Sequence, residues 1–312
     1  MSERLILAIN PGSTSTKISL FGEEERIFEV TLRHSASELS LFDSISDQFY
    51  FRKDLIMNEL EKRNTDFDRI AAVVGRGGLL KPVLSGIYAV NEKMKHDLHE
   101  AARGQHASNL GGLIADEIAA SLPSAQAFIV DPVVVDEMTP VARISGHPEI
   151  ERISVFHALN QKAVARLYAG SVGTKYEELN LIVAHLGGGI SIGAHRKGRV
   201  IDVNNALDGE GPFTPERSGG LPSGQLAGLC FSGQYTHDEI KAMIAGRGGM
   251  VAYLGTNNFK EVCERAERGD EKALLVSEAA AYQVAKEIGA MAAVLAGRVD
   301  AIILTGGMAY QE

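Results

Sequence analysis

One pattern occurs twice in this chain, and it leaves little freedom about the fold. Residues 5–21 read Leu-Ile-Leu-Ala-Ile-Asn10-Pro-Gly-Ser-Thr-Ser-Thr-Lys17-Ile-Ser-Leu-Phe: an apolar run of buried-strand length, a turn, and a second strand in which Ile18 and Leu20 alternate with Lys17 and Ser19. Residues 181–202 repeat the form, with apolar Leu-Ile-Val-Ala-His185-Leu, the turn Gly187-Gly-Gly189, the strand Ile-Ser191-Ile-Gly-Ala-His195, and a third strand ending at Asp202. A second pair of segments also repeats. The buried strand before Gly75-Arg76-Gly-Gly78 matches the strand before Thr305-Gly306-Gly307. Long internal periods outrank local detail. Two copies in the same order predict a duplicated α/β domain, with four glycine turns available to face one cleft.

The first turn, residues 10–16, is polar and rich in Gly, Ser and Thr. Its hydroxyls and backbone N–H groups suit an anion such as phosphate. The same residue types also dominate ordinary hairpin loops, so the stretch alone leaves both readings open. It is not a Walker loop, which needs Gly-Lys-Ser/Thr opening a helix; here a strand follows Lys17. Gly187-Gly188-Gly189 likewise precedes a strand, so the dinucleotide fingerprint, with its following helix, is absent.

The 312 residues suit about two domains. With 45% hydrophobic and 23% charged residues the chain has the balance of a soluble globular protein. No apolar run approaches the roughly 18 residues of a membrane span, and the start of the chain does not read as a signal peptide. Cys230 and Cys263 form no Cys-x-x-Cys pair, which fits a reduced cytoplasm and excludes a cysteine zinc site. A net charge of −9 argues against bulk nucleic-acid binding. An anionic substrate must then be held by local cations rather than by a global field.

Along the chain, residues 26–33 read as a third strand, and Phe49, Leu55, Ile56 and Leu60 mark a helix by their spacing. Residues 70–74 and 127–130 read as strands. Asn91 caps a helix carrying Met94 and Leu98, and residues 109–121 form another. The second half opens with a helix over residues 156–168. Residues 208–224 make a long Gly/Pro-rich loop, a length that is usually functional in a compact domain. Thr236 and Glu239 form a capping box. Residues 270–298 are a long helix, and residues 301–304 the last strand. The order of elements implies a crossover-connected sheet in each of two lobes, 1–155 and 156–312.

Several residues stand out chemically. Arg76 lies among glycines directly after a buried strand, and Arg217 lies in the long loop. Each is a solvated surface residue or half of a bidentate anion clamp. Asp131 ends an apolar strand before Pro132, where ligand-facing carboxylates of open α/β sheets lie, though Asp-Pro also starts turns. His157 follows Val155-Phe156 at a helix start and reads as a structural or a functional histidine. His106 carries less information still.

These motifs resemble the acetate/butyrate kinase family, within the acetate-and-sugar-kinase, Hsp70 and actin superfamily. The resemblance runs the whole length, through Asn10–Lys17, His185–Ser191 and residues 304–307. Gly75–Gly78 and residues 208–222 look like its butyrate-kinase branch. The resemblance implies two ribonuclease-H-like (actin-like ATPase) lobes with an interlobe cleft. It also implies reversible, ATP- and Mg²⁺-dependent phosphorylation of a short-chain carboxylate to an acyl phosphate, and a cytoplasmic homo-oligomer, at least a dimer. Carried over by motif, Asn10, Ser13, Ser15 and Lys17 look like the first phosphate turn, and His185, Gly187, Gly188 and Gly189 like the second. Asn258, Phe259, Lys260, Gly306 and Gly307 look like the nucleoside side. Asp131, with Asn10, resembles the metal-organising position, His157 the transition-state-stabilising histidine, and Arg217 an active-site arginine. His106, with Asn109, resembles a further element near the site, and Phe156 a wall for the acyl chain.

Some positions depart from the family pattern. Arg76 stands where acetate kinases have His, and it takes the role of a neighbouring arginine by proximity. Asn258 and Lys260 replace an Asp and an Arg beside the nucleoside. Family members continue past the adenosine turn with further helix, so the chain ending at Glu312 looks truncated or incomplete. Within the same fold the alternatives are an acetate or propionate kinase, or a sugar or polyol kinase in which Asp131 acts as base. An actin- or chaperone-like ATPase requires no carboxylate, and a nicotinamide dehydrogenase lacks its fingerprint.

Overall fold

The computed structural model describes residues 4–23, 25–101 and 103–311. The chain divides into two compact units, Met1–Val135 and Asp136–Glu312. In the first, β1 (Leu5–Pro11), β2 (Ser15–Gly22), β3 (Glu25–Arg33), β4 (Ile70–Arg76), β5 (Ile87–Ala89) and β6 (Gln126–Val130) form, among the described residues, one six-stranded sheet in the order β3-β2-β1-β4-β6-β5. The first three strands are antiparallel neighbours, whereas β1, β4 and β6 run parallel. Parallel strands need crossovers, which the helices Phe49–Lys62 and Asn109–Ala120 supply. Leu5, Leu7 and Ile9 alternate inward along β1 and bury against Ile56, Leu60 and Ile114.

The helix Asn109–Ala120 lies unusually close to the end of β4. A Cβ on Gly75 would stand 2.0 Å from the Gly111 carbonyl oxygen, and one on Gly111 would stand 2.2 Å from that of Arg76. Gly77 and Gly78 are similarly pressed against Pro132 and Asn109. Close packing of strand on helix therefore accounts for these glycines without a ligand.

The second unit repeats the plan. After the small β7 (Ile144–His147) and β8 (Ile150–Glu151) pair come β9 (Asn180–Leu186), β10 (Ile190–Arg196), β11 (Arg199–Val203) and β12 (Ala301–Thr305), in the order β11-β10-β9-β12. An antiparallel three-strand meander followed by a parallel neighbour is also the β3-β2-β1-β4 arrangement. The duplication read in the sequence is thus present in the topology. β9 is buried on both faces: Leu181 and Val183 meet Ala165 and Ala169 of the helix Ala158–Ser171, and Ile182 and Ala184 meet Met291 of the helix Glu271–Val294. A two-sided strand reads as a continuous apolar run, as 181–184 does.

The division between units falls at Val135/Asp136, whereas the sequence places the lobe boundary after residue 155. Residues 136–155 are tied to the second sheet. Glu137 pairs with Lys162 at 2.9 Å and accepts from the Val200 N–H, the Thr139 N–H bonds the Ile201 carbonyl, and Arg152 pairs with Asp202 at 2.9 Å. Such long-range pairing leaves no local signal. Among the described residues no helix is long and apolar enough to cross a membrane.

Candidate active site

In the first unit the turn between β1 and β2 is held from beneath by Arg52. This side chain is almost fully buried, and its guanidinium donates to the carbonyls of Gly12 (2.8 Å), Ser13 (3.1 Å) and Ser15 (3.2 Å), to Thr16 Oγ1, and through two nitrogens to Gln48 Oε1. The Thr14 carbonyl accepts from the His34 N–H at 2.9 Å. All four turn carbonyls are therefore occupied by donors. An anion approaching the exposed tip at Ser13 and Thr14 meets a turn whose negative dipole ends are already neutralised. Burial pulls the Arg52 guanidinium down to about 10, still far above neutrality.

The remaining residues named for this unit divide between display and support. Asn10 and Lys17 face each other across the β1–β2 pair, with Lys17 Nζ 3.2 Å from Glu29. Arg76, at the end of β4, donates to Asn10 Oδ1 at 3.3 Å. Asp131 directly follows β6, buried and in the left-handed region at φ +37°, a strained conformation for a residue with a side chain. Its Oδ1 accepts from the Ser85 hydroxyl at 2.6 Å and the Gly86 N–H at 2.9 Å. His106 Nδ1 lies 2.7 Å from Ser108 Oγ. Asn109 instead pins the turn after β4, accepting from the Leu79 N–H and donating to the Gly104 carbonyl.

In the second unit His157, His185, Gly189 and Arg217 converge. His157 precedes the helix Ala158–Ser171, and its ring stacks on that of His185, with centroids 3.8 Å apart and planes 12° apart. A Cβ on Gly189 would stand 2.2 Å from Arg217 Nη1 and 3.3 Å from His157 Cε1, so this glycine lets the cation and the imidazole approach the turn. His185 is oriented by Asn160, at 2.7 Å from Nδ1. The loop carrying Arg217 is anchored by Thr214, whose hydroxyl donates to the Gly188 carbonyl at 2.7 Å and accepts from the Arg217 N–H. Arg217 Nη1 donates to the Ala206 carbonyl at 2.5 Å. Burial lowers this guanidinium from its ordinary value, Glu216 opposing the shift, so the group is short of water and well disposed to an incoming anion.

The nucleoside-side candidates also have structural employment. Asn258 caps the helix Phe259–Glu267, Phe259 packs beside Met250 and Val262, and Lys260 faces Glu264 at 4.0 Å on an exposed turn. Gly306, at φ +91°, passes so close to β9 that a Cβ would lie 2.3 Å from the Leu186 carbonyl, while Gly307 is open. Phe156 is fully buried.

Sequence reasoning missed the residues behind the site. Arg52 is one, although a stripe at 48, 52, 56 and 60 marks it as inward on its helix. His195 is another. It is entirely buried between Tyr176 and Gln161, and burial first, then the Lys162 ammonium, pushes its imidazole from 6.5 down to about 3. Between those values the unfolded chain binds a proton that the folded chain refuses, so stability rises with pH there. This contribution is complete above about pH 6.5 and is lost as pH falls toward 3, at up to ~1.4 kcal/mol per pH unit. Urea midpoints measured from pH 7 to pH 4 should fall less steeply for His195→Gln than for the parent. Equal slopes would exclude His195 as the group responsible.

The profile of the acetokinase family matches residues 149–311. The chain is 60% identical to butyrate kinase 1 of Clostridium acetobutylicum, over 98% of its own length and 86% of the relative's. It is 56% identical to a probable butyrate kinase of Bacteroides thetaiotaomicron, with the same coverage. Among solved structures, the acetate kinase of Porphyromonas gingivalis superposes with a TM-score of 0.78 at 21% identity, covering 98% of this chain and 83% of its own. The propionate kinase of Francisella tularensis gives 0.77 at 20%, covering 98% and 84%. Both have the actin-like ATPase fold, so this chain shares it.

Proposed function

The chain belongs to the acetokinase family, and from that membership we propose that it phosphorylates butyrate, or a closely related short-chain fatty acid, with ATP to give the acyl phosphate. The observation that carries the reading is 60% identity to a butyrate kinase across nearly all of this chain. The acceptor is a carboxylate with a pKa near ~4, already ionised at neutral pH, so the nucleophile needs no general base. The obstacle is electrostatic, because one anion must reach the γ-phosphate of another. Direct in-line transfer then rests on positioning and on cations placed where charge is spread over the phosphoryl oxygens.

In this reading Arg217 and Arg76 hold the carboxylate and the transferring group, and His157 donates to a phosphoryl oxygen. Ser13, Ser15 and Lys17, and His185 with Gly187–Gly189, cradle the nucleotide phosphates. Residues 258–260 and 306–307 take the nucleoside, His106 and Phe156 the acid. Mg²⁺ carried on nucleotide phosphates needs only one or two protein oxygens, and Asp131, with one carboxylate oxygen fixed by Ser85 and Gly86, fits that demand, with Asn10 beside it in the assignment. The ion supplies Lewis-acid stabilisation of the phosphoryl oxygens. We place the enzyme in the cytoplasm as a homo-oligomer.

Hydroxylamine trapping of acyl phosphate from ATP, Mg²⁺ and a series of C2 to C5 acids tests the reading, with the strongest signal expected at C4. Failure to trap an acyl phosphate from any aliphatic acid overturns it. A signal strongest at C2 or C3 moves the chain to the acetate or propionate kinases, since one methylene is worth ~1–3 kcal/mol of discrimination.

A further inference from the structure

Behind His157 runs a hydrogen-bond chain whose directions follow from a single atom. Gln161 Nε2 lies 2.9 Å from the backbone carbonyl of Ser191, which only accepts. That atom is therefore the amide nitrogen, and the other amide atom, 2.9 Å from His195 Nε2, is the oxygen. His195 must then carry its proton on Nε2. Kept neutral by burial and by Lys162, it leaves Nδ1 bare to accept from the Tyr176 hydroxyl at 2.6 Å.

The consequence reaches the site through Ser191. Its Oγ accepts from Gln161 Nε2 at 2.8 Å and from the His157 backbone N–H at 3.3 Å, which fills both lone pairs. The hydroxyl proton has one direction left, toward His157 Nδ1 at 2.8 Å. We infer that Gln161, acting through Ser191, is a positioning residue that holds His157 as the neutral tautomer with its proton on Nε2. An Nδ1–H would point at an oxygen with no lone pair to offer. The device explains three buried polar side chains, Gln161, Ser191 and His195, that the turn itself does not require. Each is satisfied in one direction only, so the network transmits a tautomer as well as an orientation.

The inference rests on the reading of His157 as the phosphoryl-oxygen donor, because a donor must present N–H on the nitrogen remote from Ser191. It is tested on the full chain labelled with ¹⁵N-histidine, by long-range ¹⁵N–¹H correlation at neutral pH. The His157 signals are assigned by their loss in His157→Gln. The expected pattern has His157 and His195 both protonated on Nε2 only. Protonation of His157 on Nδ1, or on both nitrogens, overturns the inference. In Gln161→Met, Ser191 is released, so the His157 pattern should shift toward a tautomer mixture. Acyl phosphate formation should fall on the order of tenfold in kcat with little change in KM for either substrate. An unaltered His157 pattern in a folded Gln161→Met chain also overturns it. The wild-type spectrum decides the tautomer even if that variant does not fold. Absence of acyl phosphate from the wild type strikes the functional reading instead and leaves the spectrum to stand separately.

Discussion

Replacing Arg217 with alanine should lower kcat/KM for acyl phosphate formation by about 100-fold or more, the usual cost of losing one preorganised donor to a developing oxyanion. The effect follows from how the side chain is held. Its guanidinium is half-buried, anchored at one nitrogen on the Ala206 carbonyl, and brought against the Gly189 turn because that residue has no Cβ. Its backbone N–H is fixed on Thr214, which also holds Gly188, so turn and cation move as one piece. A rigid cation short of water offers an anion more than a solvated one does, because little reorganisation is needed when charge arrives. Arg217→Lys should recover only a small part of the loss, since an ammonium cannot both keep the Ala206 bond and present a planar fork. Steady-state kinetics by hydroxamate detection would decide the point. Near-parental turnover in Arg217→Ala removes the residue from the reaction.

The second large effect concerns stability. Arg52→Met should destabilise the chain by about 3–5 kcal/mol in urea unfolding, monitored on the first unit by a local probe. Methionine matches much of the volume but leaves the Gly12, Ser13 and Ser15 carbonyls, Thr16 Oγ1 and the Gln48 amide oxygen without their common donor. The Ser15 carbonyl keeps the Gly12 N–H and Thr16 Oγ1 keeps His34, so the loss falls on the Gly12 and Ser13 carbonyls and on the buried Gln48 amide, and an acceptor left unmade costs more than the net worth of its bond. The turn should loosen too, raising KM for ATP before the global midpoint is reached. Arg52→Lys should rescue only partly, because one nitrogen replaces three. A loss below about 1 kcal/mol would mean that the turn is self-supporting.

Both effects come from residues whose importance differs in how far it can be read in advance. Arg217 stands in a loop dense in glycine and proline, and its sequence context already points to an anion. Arg52 stands in an ordinary amphipathic helix, 36 residues from Thr16 with which it bonds, and only its four-residue spacing from Ile56 and Leu60 hints that it faces inward. Asn258 shows the reverse. It reads as part of a nucleoside site by motif, yet its side chain already serves as a helix cap. A motif records residue types in order, and the same types serve capping and binding.

The sequence by itself determined the duplicated plan, because strand, glycine turn and strand are local patterns set by side-chain alternation and by turn chemistry. The order β3-β2-β1-β4, repeated as β11-β10-β9-β12, is the spatial form of that pattern. Tertiary structure alone decided which glycines are packing contacts, where residues 136–155 attach, and that Gln161 and Ser191 lie hydrogen-bonded behind His157. Those outcomes depend on which acceptor lies within three ångströms of which donor. No local propensity carries that information, since it exists only once distant backbone carbonyls have been brought together and water excluded from between them.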